Sequence, residues 1–558
     1  MKKNIQLFGI FLVFLSVISL SVLISCGGDF TDPFAITPLH EHQLDRSKWI
    51  GLSKFHLYYW PERGSGYDEI GFHPRESDWI LARHMGFNIF RVAVDYRFIY
   101  SPTTGTSTGT FDPHTHDHLG NPVSYVGYLD KMVEYGIKYG IVTNIDLHHA
   151  PGFSQADLDD NLQLWANSDG TLPANSGIPH FIAVWDFIAK RYAHVPDEYL
   201  HFNLVNEPPQ GIFNGNSARA VANRKILSDT IKAIRAVPGN ENRLIVLDCN
   251  QRYPFNIDQL DLDGKDHELM LSPHCYFPWS FTHEGMNNTT AFPAGFAFKS
   301  SGLVWPIRNY FNGFLYGPGK SQELFNKINT FAVFENPDGF NAGTVTLRVV
   351  RQSQANTVRI RVDGNLIDAT LSIPVVPGLV SQSFTFNGTP IPQGATKVEL
   401  FVSSGDWLNM DQYTISGVNI NCTNIDWGYL PGPHIDVKND HWTDAQFIRN
   451  TMFPSPEWDD LVANNRVRIG EMSSLTQTAS GATQRANLLG DYVDAFQGMP
   501  MIFWEFKGGA MCIFNLDQNV VFTHPIEITF GEGQRITYYY DKKWYDKIAH
   551  RLDLPENK

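Results

Sequence analysis

From about Trp49 the chain alternates between short apolar runs and longer stretches with helical spacing. The apolar runs predict strands at Gly51–Tyr59, Asn88–Val94, Gly140–Leu147, Tyr199–Val205, Arg243–Asp248, Leu269–Tyr276, Arg466–Glu471 and Pro500–Phe506. Between and after them, the spacing predicts helices at Glu76–Met85, Val126–Tyr139, Ile182–Tyr192, Asn223–Ala236, Gln484–Phe496 and Asp541–Leu552. Alternation of strand and helix implies a parallel sheet. Strands that are apolar nearly throughout are buried on both faces, which points to an α/β protein closed as a (β/α)₈ TIM barrel. An open doubly wound sheet is the alternative, but no Gly-rich phosphate loop follows the first strand.

The rhythm breaks between the sixth and seventh predicted strands. From Phe331 to Ile420 the period changes to two, in GTVTLRVVRQ (Gly343–Gln352), TVRIRVDGNLI (Thr357–Ile367), SQSFTFNG (Ser381–Gly388) and TKVELFVSSGDW (Thr396–Trp407). Turn sequences such as DGN, NGTP and PQG separate the runs, the pattern of antiparallel strands. An antiparallel β-sandwich inserted between barrel strands six and seven is therefore expected. The expected division is a leader at 1–25, a linker at 26–45, the first part of the barrel at 46–325, the insertion at 326–422 and the second part of the barrel at 423–558.

Composition narrows the function. The 558 residues carry a formal net charge of -15 and 13% aromatic residues. A chain this acidic lacks the basic face that phosphate neutralisation requires, so a nucleic-acid partner is not expected. Lys2 and Lys3 precede an apolar run from Ile5 to Ile24, and LISCGG follows at Leu23–Gly28. This segment resembles a bacterial lipoprotein signal, which implies lipidation of Cys26 and a place in the cell envelope, held to a membrane or secreted. An uncleaved anchor or plain signal peptide is the alternative. Cys249, Cys275, Cys422 and Cys512 are scattered, without CxxC or a His spacing that fits zinc. No disulfide, metal or cofactor is expected.

In a (β/α)₈ barrel the site forms at the carboxyl ends of the strands. Those ends carry Arg91; Asp146, His148 and His149; Asn206 and Glu207; His274 and Tyr276; Glu471; and Trp504. Two carboxylic acids on strands across the mouth, with an aromatic platform beside them, fit cleavage of a glycosidic bond. That reaction takes a proton donor on the leaving oxygen and a carboxylate on the opposite side. A Trp ring offers a flat apolar face to a sugar.

The set resembles glycoside hydrolase family 5, whose members are retaining enzymes on (β/α)₈ barrels. The resemblance covers most of Trp49–Ile307 and Asp426–Leu554. It rests on Asn206-Glu207-Pro208, Gly470-Glu471, Arg91, His148, His274-x-Tyr276 and Trp504, all in the family's order. RVAVDY and DLHHAPG resemble the clostridial endoglucanase branch in particular. Met472 departs from the aromatic residue many members place after the second glutamate, and the insertion is larger than that branch's.

The resemblance implies that Glu207 is the acid/base and Glu471 the nucleophile. It implies that Arg91, His148, His149, Asn206, His274, Tyr276 and Trp504 bind or orient the sugar. Arg91 and the Tyr276 hydroxyl would stabilise an ionised Glu471, and Asn206 would bond a sugar 2-hydroxyl. Adjacent strand residues face opposite ways, so of the two histidines His148 is the one expected in the site. Tyr58, Trp60, Phe277 and Trp279 are candidates for outer sugar contacts, and ordinary packing explains them equally well. The insertion resembles a carbohydrate-binding module through VRIRVDGNLI and GDWLNMDQYTI, with Trp407 as a sugar contact; a structural wall is the alternative. The expected activity is hydrolysis of a β-linked glucan, β-1,4 or mixed-linkage, by a monomer. A β-1,3-glucanase, a β-mannanase and a non-enzymatic polysaccharide-binding lipoprotein are the alternatives.

Overall fold

A computed structural model of the chain describes residues 39, 44–57, 74–103, 105–116, 122–154, 161–209, 211–249, 256–262, 268–276, 282, 314–318, 331–375, 381–421, 436–438, 445–453, 456–474, 479–507 and 511–554. The leader with Cys26, the aromatic candidates Tyr58, Trp60, Phe277 and Trp279, and Cys422 lie outside the described residues.

Eight parallel strands close into a barrel in chain order. They are β1 (Ile50–Leu57), β2 (Ile89–Asp95), β3 (Val142–His149), β4 (Leu200–Asn203), β5 (Ile245–Cys249), β6 (Leu269–Cys275), β7 (Ile469–Met472) and β8 (Met501–Phe503). The last pairs with the first in the register Ile50↔Met501, Gly51↔Ile502 and Leu52↔Phe503, which completes the ring. Every residue of β2, β3, β5 and β6 is buried, as the continuous apolar runs require. The expected fold thus holds, with each predicted strand within a few residues of its observed place.

The helices α1 (Glu76–His84), α2 (Tyr125–Tyr139), α3 (Ile178–Arg191), α4 (Ala218–Arg235), α5 (Ala479–Ala495) and α6 (Lys542–Ile548) fall where the spacing places them. Their ends have local causes. Ser124 caps α2 by accepting from the Gly127 amide, and Ser217 caps α4 through the Ala220 amide. Helix α2 stops at Gly140, whose φ of 61° is the left-handed conformation glycine adopts at little cost.

The barrel interior is layered. At the amino ends of the strands, Trp49, Ile89, Val142, Leu244, Val246, Met270 and Ile502 pack into an apolar plug. Above it the inward positions turn polar, beginning with Asn144, Asn203, Ser272 and Arg468, all fully buried. Floor and functional layer are therefore different stretches of the same strands.

Between β6 and β7 the chain forms two antiparallel sheets. One runs in the order Asn365–Ile373, Asn356–Val362, Ala395–Ser404, Phe331–Phe340, Asp436–Lys438. The other runs Gln382–Thr385, Val345–Gln352, Trp407–Ile415, Val418–Asn421, with Phe314–Tyr316 pairing onto Trp407–Ile415. Their inner faces share one apolar cluster, in which Phe334 of the first sheet meets Tyr413 of the second with ring centroids 5.1 Å apart. The alternation of Asn356–Val362, buried at every second residue, is the cause.

Several elements are absent from the expectations, among them the helices Ala445–Met452 and Pro456–Ala463, the strand pair Tyr100–Pro102 and Gly109–Phe111, and a hairpin near the C-terminus. After β8, His524–Phe530 and Gln534–Tyr540 form a hairpin, with Phe514–Asn515 pairing on its second strand. The signal for the hairpin was present in two alternating runs around Gly531 and Gly533, both at positive φ.

Candidate active site

The site is built from strand ends upward. Arg91 on β2 is fully buried and its guanidinium is the hub. Nη1 donates to Oε1 of Glu471. Nη2 donates to Asn206 Oδ1 at 2.7 Å and to Asp248 Oδ2 at 3.0 Å, and lies 3.1 Å from Asp146 Oδ2. Burial works against this cation, but the carboxylates of Asp146, Glu471 and Asp248 raise its pKa above the ordinary arginine value. Its charge is therefore permanent.

Glu471 on β7 is 4% exposed. Its partner across the ladder is His274 of β6, in direct register. Both its oxygens are engaged, Oε1 by Arg91 and Oε2 by the Tyr276 hydroxyl at 2.8 Å. Burial, and then the charges of Glu471 and Glu207, push the Tyr276 phenol far up, so it stays a donor.

Glu207 follows β4 by four residues and has a φ of 42°, rare for a side chain other than glycine or asparagine. Its amide donates to Asp248 Oδ2 at 3.4 Å. Its carboxylate Oε1 lies 2.7 Å from His274 Nδ1, and its side chain is 26% exposed. One oxygen of Glu207, one of Glu471 and one ring nitrogen of His274 lie within 4.8 Å of one another. Among the described residues this is the one trio spaced closely enough to hold a cation. The donors do not fit that use, since Arg91 already supplies the positive charge at Glu471 and His274 is itself held protonated.

His274 explains the last point. Nδ1 faces Glu207 Oε1 at 2.7 Å and Glu471 Oε2 at 3.5 Å, while Nε2 lies 3.2 Å from Asp248 Oδ2. Burial alone would lower its pKa, but Glu471, Asp248 and Glu207 outweigh it and lift the ring to about 10. The neighbouring aspartates part company for the same reason. Burial would raise Asp248, yet His274 and Arg91 hold it below the usual carboxylate range. Asp146 is pushed up to about 7 by burial, opposed by Arg91 and reinforced by the charge of Asp248. Its other contact, His148 Nδ1 at 2.7 Å, carries no compensating charge, because burial drives that ring well below its ordinary value.

His148 stacks on Trp504, ring centroids 5.1 Å apart and planes within 16°. Neutral imidazole and indole thus form one wall. His149 turns the other way and bonds Asp95 Oδ2 at 3.0 Å, beside Arg97 at 3.3 Å. Asn206 gives its carbonyl oxygen to Arg91, so its side-chain amide group enters the site as a donor. Arg91, His148, Asn206, Glu207, His274, Tyr276, Glu471 and Trp504 are thus joined in one network of hydrogen bonds and ring contacts, with His149 at its edge.

Three members escaped the sequence reading. Asp248 is the penultimate residue of β5 and, as the last residue of the predicted strand Arg243–Asp248, was findable by the same strand-end rule that selected Glu207. Asn203 and Arg468 lie lower. Arg468 donates to Asn144 Oδ1 at 2.7 Å, to Ser272 Oγ at 3.2 Å and to Asn203, which also accepts from Arg91 at 3.4 Å. An arginine inside an apolar strand was the available signal. Glycine at 470 has a packing cause, because a Cβ there would stand 2.1 Å from Ser272 Oγ and 2.9 Å from His274 Nε2.

Among curated proteins, the chain is similar to Endoglucanase C of Acetivibrio thermocellus, 27% identical over 210 residues, 38% of this chain and 52% of that protein. It is also similar to Cellodextrinase A of Ruminococcus flavefaciens, 28% identical over 183 residues, 30% of this chain and 50% of that protein. The chain spans about half the length of these relatives. A solved lichenase from Caldicellulosiruptor sp. F32 is 12% identical, with a TM-score of 0.45 over 94% of this chain and 98% of that one. Residues 67–303 match the family model Cellulase (glycosyl hydrolase family 5), a stretch that holds Arg91, His148, Glu207 and His274 and ends before Glu471. That segment is accordingly a domain of the cellulase family, glycosyl hydrolase family 5.

Proposed function

We propose that the protein is a retaining glycoside hydrolase that cleaves β-linked glucan, β-1,4 or mixed-linkage, with Glu471 as nucleophile and Glu207 as acid/base. The observation that carries this reading is the approach of one oxygen of Glu207 to one of Glu471 within 4.8 Å. A retaining pair stands about 5–5.5 Å apart, whereas an inverting pair needs about 6.5–9.5 Å to admit a water.

Glu471 attacks the anomeric carbon while the glycosidic C–O bond breaks and its oxygen takes the proton of Glu207. Forming the ester removes the charge of Glu471. Glu207, now a carboxylate, takes a proton from water, whose oxygen displaces Glu471 from the sugar. Arg91 and Tyr276 hold both oxygens of the nucleophile, so its attacking lone pair is oriented before substrate arrives. The names of the relatives, an endoglucanase and a cellodextrinase, support a glucan over a mannan.

In this reading a lipid on Cys26 holds the enzyme to a membrane of the cell envelope, and the two sheets between β6 and β7 are an inserted β-sandwich. The test is hydrolysis of a polysaccharide panel with the anomeric configuration of the first product followed by NMR. Net retention on a β-glucan is expected. Inversion would overturn the mechanism, and binding without cleavage of any glucan or mannan would favour a polysaccharide-binding lipoprotein.

A further inference from the structure

Asp248 is fully enclosed at the end of β5 and one of its oxygens serves three groups. Oδ2 accepts from Arg91 Nη2 at 3.0 Å and from the backbone amide of Glu207 at 3.4 Å, and lies 3.2 Å from His274 Nε2. Those groups belong to the two halves of the site. Arg91 holds the nucleophile, while His274 and the Glu207 backbone belong to the acid. We propose that Asp248 is a positioning residue for proton transfer: it fixes the His274 ring with Nδ1 toward Glu207, so that the catalytic proton is kept on the Glu207–His274 pair. The inference rests on the glycosidase reading above.

The geometry leaves the imidazole little choice. Nε2 lies 3.2 Å from Asp248 Oδ2 as a charge contact rather than an aligned hydrogen bond, and that carboxylate favours the proton on Nε2, which leaves Nδ1 to share one with Glu207 Oε1 at 2.7 Å. When the glycosidic oxygen takes that shared proton, Glu207 is left a carboxylate and Nδ1 without a hydrogen. When water later returns a proton, the pair is restored. The Glu207 amide bond to the same oxygen sets the left-handed backbone that aims the side chain. The charged and titratable groups around the pair are Arg91 from β2, Asp146 and His148 from β3, Asp248 from β5, Tyr276 after β6, Arg468 just before β7 and Glu471 on it. Burial opposes a proton on His274, and the carboxylates of Glu471 and Asp248 offset it.

Asp248→Asn keeps the shape and an acceptor but removes the charge; Asp248→Glu restores the charge. The first readout is the pH profile of kcat/KM on a cello-oligosaccharide. The alkaline limb, which reports loss of the shared proton, should fall by about one pH unit or more in Asp248→Asn and recover in Asp248→Glu. A profile scaled down with both limbs in place would reduce Asp248 to a structural role and overturn the inference. The second readout is imidazole NMR, with His274 assigned by comparison with His274→Gln. His274 should stay protonated well above the ordinary histidine range in the full-length protein and titrate lower in Asp248→Asn. A wild-type midpoint at or below the ordinary value of about 6.5 would overturn the inference even if the variant failed to fold. Should the wild type cleave no glucan, the function reading fails while the NMR midpoint still decides the role of Asp248.

Discussion

The hydroxyl of Tyr276 donates to Glu471 Oε2 at 2.8 Å, on the oxygen that Arg91 does not hold. The two donors reach the carboxylate from different strands, so the tyrosine constrains rotation that the arginine alone permits. Tyr276→Phe removes one bond to a charged group, worth about 1.5–3 kcal/mol. That converts to a fall in kcat/KM of about 10- to 100-fold. Steady-state kinetics on a soluble cello-oligosaccharide would measure it, with KM little changed because the contact is to the enzyme's own nucleophile. An unchanged kcat would remove Tyr276 from the reaction.

The two acids have separable failures. Glu471→Gln removes the nucleophile and should cost several orders of magnitude on every substrate. Glu207→Gln removes the proton donor, which an aryl glycoside with an acidic leaving group scarcely needs. On that substrate the variant should show a burst of released phenol followed by slow turnover, because the second step still lacks its base. Equal losses for both variants on both substrates would argue against the division of roles.

Much of this was legible in the chain because barrel strands announce themselves. GIVTNIDL and RVRIGE are apolar runs that end at polar residues, so the strand-end rule finds His148 and Glu471 without knowledge of their contacts, while Arg91, near the start of its strand, is found through the family resemblance. What it missed has a physical explanation. Asp248 stands between Leu247 and Cys249 in an apolar strand, and its meaning lies in its distances to Arg91 and His274. Arg468 sits below the mouth, where an apolar residue is the usual occupant, and its acceptors come from β3, β4 and β6. The hairpin ending at Tyr540 was passed over because a (β/α)₈ pattern expects a helix directly after the eighth strand. His149 was separable from His148 by strand alternation, and its partner Asp95 could not be read from the chain.

Gly470 offers a steric test of the nucleophile strand. Its missing Cβ is the space in which Ser272 Oγ and the His274 ring sit, at 2.1 and 2.9 Å from where that carbon would stand. Gly470→Ala must move β6 away from β7 or rotate His274 off Glu207. We expect a loss of about 1–3 kcal/mol in stability, as for overpacked cores, together with at least a tenfold loss of activity that persists at temperatures where the variant is fully folded. Urea unfolding and kinetics on the same preparation measure both. Loss of stability with full residual activity would show that His274 keeps its place without the glycine.

Lys54 makes a prediction about pH. It lies on β1 and is 1% exposed, facing Asp78 of α1 between Trp79 and Phe506, whose ring centroids lie 4.7 and 4.8 Å from its ammonium. Asp78 is shared, since it also takes Lys507 at 2.7 Å and the Tyr538 hydroxyl at 2.6 Å. Burial, with help from the charge of Lys507, outweighs Asp78 and lowers Lys54 from 10.5 to about 7. Between those two values the unfolded chain binds more protons at this lysine than the folded one. Stability therefore rises with pH across that window, and the full penalty is present below about 7. Lys54→Met deletes this term and leaves Asp78 its other partners. Urea unfolding at pH 7 and pH 9.5 should show the wild type gaining on Lys54→Met as the pH rises. A stability difference that stays constant between the two pH values would mean that Lys54 titrates alike in both states, and the buried cluster would then carry no pH dependence.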